Sequence, residues 1–231
     1  MPPLLPKLEI LPPAQLALWP ETARWADRFV LYGGTAIALR HGHRQSVDFD
    51  FFSDRPFDPF AFYADDPVLQ GSEILQTAAN TLTCSKPTKL GPVKLSFFGG
   101  LRFGRVADPS VIPDHPLKVA SDMDLMVQKL KVIQVRSERK DYEDLSVLLK
   151  SGLRLEDGLG AARALYPGFP VSVALRALSY FEGGDVAQLP LTLKALLSGH
   201  AARCSDIPSW TRAGDSLLSS ASRHPIAGRS S

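Results

Sequence analysis

The sequence predicts an α+β protein, a small mixed sheet with flanking helices followed by a helical C-terminal part. Three observations carry that prediction. Through the first half of the chain, short apolar runs of strand length are interleaved with stretches of helical period. A glycine pair, Gly33-Gly34, separates the first apolar run from a short apolar helix. Beyond residue 120 the pattern is almost wholly helical. On this reading residues 1–120 form the sheet-bearing core, residues 121–200 the helical part, and residues 201–231 a flexible tail.

The elements follow in order. Residues 1–13 are proline-rich and predict an irregular arm over the surface. Residues 14–28 carry Leu16, Leu18, Trp19, Ala23 and Ala26 among polar residues and predict helix, interrupted at Pro20. Residues 29–32 are a short buried strand. A helix then opens at Thr35 and stops at Gly42, a residue suited to a left-handed C′ position. Residues 46–52 are the second strand, Ser53-Asp54-Arg55-Pro56 a turn, and residues 58–63 a short helix. Strands are expected at 73–77, 81–85, 92–98 and 117–120. Ser121 followed by Asp124 reads as a helix cap. Met123, Met126, Val127, Leu130 and Ile133 then recur at core-facing spacing. Leu125, Lys129, Val132, Arg136 and Lys140 would form another stripe on one continuous helix, unless Ser137 caps a second one. Residues 155–165, 171–181 and 189–197 read as further helices, and residues 214–231 as loosely held.

Composition bounds the function. A chain of 231 residues can bury a sizeable core. Its 45% hydrophobic and 22% charged residues are ordinary for a soluble globular protein. A net charge of +2 neither announces nor excludes a local basic face. No apolar run is long enough to span a membrane. The N-terminus lacks a basic segment followed by an apolar one, so no signal peptide is expected. These features predict a cytoplasmic protein with no membrane partner. Cys84 and Cys204 show no zinc-ligand spacing and fit reduced thiols.

The chemistry concentrates between Leu31 and Phe52. Gly33 and Gly34 lack a Cβ, so the chain can turn sharply and let a ligand approach its backbone. Thr35 opens a helix whose free N–H groups and positive dipole end favour a phosphate. On the following strand Asp48 and Asp50 share a face, roughly 7 Å apart, while Phe49 and Phe51 point into the core. Two adjacent carboxylates repel, and a divalent cation such as Mg²⁺ resolves the repulsion. Singly, an ordinary turn and a solvated strand edge give the same residues. Together and in this order they point to a nucleoside triphosphate held on Gly33, Gly34 and Thr35, beside a metal on Asp48 and Asp50. Arg44, in the loop between, suits phosphate geometry. His41 and His43 read equally well as loop polar residues.

Gly33-Gly34-Thr35-Ala36, the run from Gly42 to Ser46, and Asp48-Phe49-Asp50-Phe51-Phe52 resemble the AbiEii/AbiGii family of nucleotidyltransferases. This family lies within the DNA polymerase beta-like superfamily and includes toxins of bacterial toxin–antitoxin and abortive-infection systems. The resemblance extends over about residues 10–185. A downstream motif of Lys, Arg, Lys-Asp and Asp-Leu is matched by Lys129, Arg136, Lys140, Asp141 and Asp144. It implies a nucleotidyltransferase-type sheet, and a Mg²⁺-dependent reaction, with Mn²⁺ as a substitute, that moves a nucleotide from an NTP to an acceptor. The implied acceptor is RNA, the 3′ end of a tRNA being the candidate, and the implied protein partner is a cognate antitoxin. Lys129 would contact phosphates with Arg136 and Lys140, Asp141 would activate or position the acceptor hydroxyl, and Ser46 would support the aspartates. Without the resemblance these charges read as exposed helix pairs. One departure stands out. The superfamily's third carboxylate corresponds to Ser96, a poor metal ligand. That substitution motivates a second reading, a nucleotide-binding or protein-interaction module without catalysis. A metal-dependent phosphoesterase, a third reading, would need more ligands than the sequence offers.

Overall fold

The computed structural model describes residues 3–218. Its strands are β1 (Val30–Tyr32), β2 (Asp48–Phe52), β3 (Glu73–Ala78), β4 (Thr81–Lys86), β5 (Val93–Phe98), β6 (Ser110–Ile112) and β7 (His115–Val119). The helices are α1 (Pro13–Leu18), α2 (Gly33–His41), α3 (Pro59–Asp65), α4 (Asp122–Val132), α5 (Arg139–Lys150), α6 (Leu155–Leu165), α7 (Val171–Ala177) and α8 (Leu191–Arg203). The strands form one mixed seven-stranded sheet in the order β3-β4-β5-β2-β1-β7-β6. β2 runs antiparallel to β1 and parallel to β5, and β1 runs parallel to β7. Helices flank this sheet, and α4–α8 follow it as a helical C-terminal stretch, as the hydrophobic pattern predicts.

The period-2 alternation of β2 divides the molecule. Phe49 and Phe51 are fully buried. Phe51 stacks on Phe97 at 5.0 Å between ring centroids, and Trp25 meets both edge-on at 4.9 Å. Asp48, Asp50 and Phe52 occupy the opposite face, where they line a cleft. A one-residue slip of β2 would bury both carboxylates in the aromatic layer, so the register is strongly specified.

Several elements differ from the sequence expectation, each for a local reason. The helix over residues 14–28 is α-helical only to Leu18. Trp19–Trp25 winds as a 3₁₀ helix with Pro20 in its first turn. β6 was not anticipated, because Pro109 and Pro113 bracket a short apolar run; it forms a hairpin with β7 through Asp114 at φ 61°. The helix from residue 121 is not continuous. α4 is capped by Ser121, whose hydroxyl accepts from the Asp124 N–H, and ends at Val132. Ser137 does not cap α5. Glu138 takes that position without a side-chain bond, and the Asp185 carboxylate accepts from the Arg139 N–H at 2.7 Å instead. Within the segment expected from residue 201 as a tail, the described residues run to 218. α8 continues to Arg203, the Arg105 guanidinium donates to the Ser216 carbonyl at 2.6 Å, and Leu217 is buried. Residues 219–231 lie outside the described residues. Among the described residues, no helix is long and apolar enough to cross a membrane.

Candidate active site

The cleft, about 510 Å³ in volume, lies between the polar face of the sheet and the junction of α4 with α5. Its floor is β2 and β5, which place Asp48 opposite Lys94 and Asp50 opposite Ser96. Gly33 sits at the turn from β1 into α2 with φ +72°, and a Cβ there would stand 2.2 Å from Asp50 Oδ2. Only glycine lets this helix N-terminus approach the carboxylate. Tyr32, the N-cap of α2, offers no side-chain cap, so the first N–H groups of the helix remain open to a ligand. A Cβ on Gly34 would collide with the Arg44 guanidinium at 2.3 Å, so the second glycine admits an arginine to the same corner.

Thr35 is buried and does not line the cleft. Its hydroxyl donates to the Asp48 carbonyl and so ties α2 to the carboxylate strand. Asp50 ionises with difficulty. Burial and the neighbouring Asp48 push its pKa up, against the opposing charges of Lys129, Lys94 and Lys140. Lys94 Nζ stands 3.7 Å from Asp48 Oδ2. Among the described residues no group of three or more His, Cys, Asp or Glu side chains is arranged to hold a metal ion. The two aspartates nevertheless fit as ligands to a divalent cation whose remaining positions are filled by phosphate oxygens and water.

Behind the cleft lies a buried ionic network. Lys129, only 6% exposed, reaches Asp141 Oδ1 and Asp144 Oδ2, each at 2.7 Å. Arg136 donates through Nε to Asp141 Oδ2 at 2.9 Å. Arg44 grips both oxygens of Asp144 at 2.8 Å, and His43 Nε2 stands 2.7 Å from Asp144 Oδ1. Burial pushes the Asp144 pKa up. Hydrogen bonds from His43 and Arg44 and the charges of Lys129 and Arg44 outweigh that and hold it well below the usual carboxylate range. Lys140 pairs with Glu138 at 2.9 Å. The cleft lining therefore presents five cations, Arg44, Lys94, Lys129, Arg136 and Lys140, against two carboxylates, Asp48 and Asp50.

Residues 18–190 match the family model described as nucleotidyl transferase AbiEii toxin, type IV toxin–antitoxin system. The chain belongs to the AbiEii family. It is also similar to the uncharacterized protein aq_aa25 of Aquifex aeolicus (strain VF5), at 33% identity over 157 residues, covering 67% of this chain and 74% of that protein.

In this AbiEii-family chain the structure gathers Gly33, Gly34, Arg44, Ser46, Asp48, Asp50, Lys129, Arg136 and Lys140 around one cleft. Asp141 is fully buried beneath Lys129 and Arg136 and does not line it. Lys129, Arg136 and Lys140 come together through the turn between α4 and α5, not along a helical stripe. Sequence reasoning passed over Lys94, Thr83 and Gln76, which also line the cleft. Lys94 was the accessible one, since it alternates with Ser96 on a recognisable strand. Thr83 and Gln76 depend on strand pairing.

Proposed function

We propose that this protein is a Mg²⁺-dependent nucleotidyltransferase, with Mn²⁺ able to replace Mg²⁺. It would transfer a nucleotide from an NTP to an RNA acceptor, the 3′ end of a tRNA being the leading candidate, and act as a toxin held in check by a cognate antitoxin. The observation that carries the proposal is a single cleft combining a two-aspartate floor, an uncapped helix N-terminus and five cations.

The triphosphate rests against the open N–H groups at Gly33 and Gly34, with Arg44, Ser46, Lys129, Arg136 and Lys140 around its charge. Asp48 and Asp50 would hold the metal, which would supply positive charge beside the α-phosphate. The acceptor oxygen forms its bond to Pα as the bond to pyrophosphate breaks, and the hydroxyl proton passes to water. Both oxygens of Asp141 are engaged by cations, so we assign it to positioning Lys129 and Arg136 rather than to proton abstraction. Asp144 does the same for Arg44 and Lys129, and Thr35 fixes the carboxylate strand.

A specific residue favours a second reading. Ser96 stands opposite Asp50 where a third carboxylate would complete a fuller metal site, as expected of a module that binds nucleotide without transferring it. One experiment separates the two: transfer of label from each α-³²P-NTP to total bacterial RNA with Mg²⁺, for wild type, Asp48→Ala and Asp50→Ala. The transferase reading expects labelled RNA from wild type and a loss of at least ~10²-fold in both variants. Nucleotide binding by calorimetry without transfer supports the module. Full transfer by either variant overturns the site.

A further inference from the structure

The two sides of Asp50 differ in chemistry. Toward β1 stands the N-terminus of α2, with the Arg44 guanidinium against Gly34. Away from β1 the floor continues across β5, β4 and β3, and the register sets Ser96, Thr83 and Gln76 in one row with Asp50. Adjacent strands lie about 4.8 Å apart, so the row extends roughly 14 Å from the carboxylate. It carries no charge beyond Asp50 itself. Ser96 and Thr83 are only 3% and 5% exposed and line the cleft, and neither hydroxyl makes a hydrogen bond among the described residues. Both side chains open onto the cleft, so two neighbouring hydroxyls stand free to bond a ligand that enters it.

We propose that Ser96, Thr83 and Gln76 form the acceptor subsite and that it grips the vicinal diol of a terminal ribose, selecting RNA over DNA. The inference rests on the transferase reading above. In-line displacement requires the attacking oxygen to enter opposite the departing pyrophosphate. With the triphosphate on the α2 N-terminus, pyrophosphate leaves on that side, and the attacker enters over Ser96. The row itself is uncharged, which suits a terminal ribose with a free 3′ end, while Lys94, two residues from Ser96 on the same face of β5, stands beside Asp48. Hydroxyls on adjacent strands match the two oxygens of a diol, and the 2′-hydroxyl is what distinguishes RNA from DNA at such a site. Phe98, partly exposed on the same face of β5 and also in the cleft, offers an aromatic surface to the base.

The test uses a short single-stranded oligoribonucleotide ending in ribose and the same oligonucleotide ending in 2′-deoxyribose. Wild type, Thr83→Val, Thr83→Ser and Gln76→Ala are compared. Oligonucleotide binding is read by fluorescence anisotropy in the presence of a non-reactive NTP analogue, NTP affinity by calorimetry, and transfer by labelling. Wild type should bind the ribose-ended oligonucleotide ~5–10-fold more tightly, the effect of about one hydrogen bond. Thr83→Val should lose that preference and raise the acceptor KM by the same factor. NTP affinity should be unchanged, and Thr83→Ser should restore the preference. Gln76→Ala should weaken both oligonucleotides. A preference untouched in Thr83→Val overturns the proposal, as does a parallel loss of NTP affinity, which would place the donor sugar on the row. Failure of wild type to bind either oligonucleotide also overturns it. Ribose-selective binding that depends on Thr83, with no transfer to any RNA, leaves the subsite standing and removes the transferase reading.

Discussion

Asp50 is held in a position that costs stability until a cation arrives. The nearby N-terminus of α2 favours the carboxylate, but Asp48 lies two residues away on the same face and burial strips the Asp50 carboxylate of water. Burial and Asp48 raise its pKa. The unfolded chain titrates near ~3.9, so between that value and the higher folded value the native state binds more protons than the unfolded one. Stability contributed at this position therefore falls as pH rises through that window and stays lower above it. Asp50→Asn removes the effect. At neutral pH with EDTA the variant should be more stable by ~0.5–2 kcal/mol, a typical gain when a functional strain is relieved, and the difference should close below about pH 4. Mg²⁺ should raise the melting temperature of wild type and leave the variant unmoved. A variant less stable than wild type at neutral pH without metal would refute the electrostatic account. Asp48 and Asp50 were legible in the sequence because side-chain period alone places them on one face. Thr83 and Gln76 were not, because linear sequence does not encode which residue on a neighbouring strand lies opposite Ser96.

Strands and helices were largely readable from period and punctuation, and the exceptions cluster where proline competes with those signals, at Pro20, Pro109 and Pro113. The break between α4 and α5 mattered more. Read as one helix, Lys129, Arg136 and Lys140 look like an exposed stripe. The turn at residues 133–138 instead folds α5 back so that Asp141 and Asp144 meet Lys129 in the interior. This makes the two helices interdependent through desolvated charges. Lys129→Met leaves both carboxylates buried with one cation fewer, and the expected loss is about 3–5 kcal/mol, typical of breaking a buried pair. Lys140→Met removes a half-exposed charge paired with Glu138 and should change stability by less than about 1 kcal/mol. Denaturant unfolding of the two variants side by side checks this. Equal losses would mean that the network adds nothing beyond surface charge. The depressed pKa of Asp144 adds a pH signature. Its contribution is fully present above the unfolded aspartate pKa and is lost as pH falls toward the folded one, so wild type and Lys129→Met should converge in strongly acidic solution.

Across the whole molecule, net charge says little. A chain at +2 concentrates five cations on one cleft and pairs them there with Asp48, Glu138, Asp141 and Asp144, so the charged cluster is local and composition hides it. The same holds for the segment that follows α8. Its serine-rich, weakly periodic sequence reads as loose, yet up to residue 218 it returns to the sheet-bearing half. Gly214 pairs with Arg105, and the Asp54 carboxylate, two residues beyond β2, accepts from the Ser216 hydroxyl and the Leu217 N–H, each at 3.2 Å. Leu217 is almost fully enclosed. This segment therefore links the helical stretch to the turn that ends the carboxylate strand. If it belongs to the cooperative fold, Leu217→Ala should cost ~2–5 kcal/mol, the usual range for truncating a buried leucine. The urea midpoint should fall with an unchanged slope. Because Asp48 and Asp50 are held by Thr35 and by strand pairing, transfer well below the melting temperature should remain near that of wild type. An unchanged midpoint would mean that the segment docks on a core already complete without it, and a reduced slope would mean that it unfolds separately.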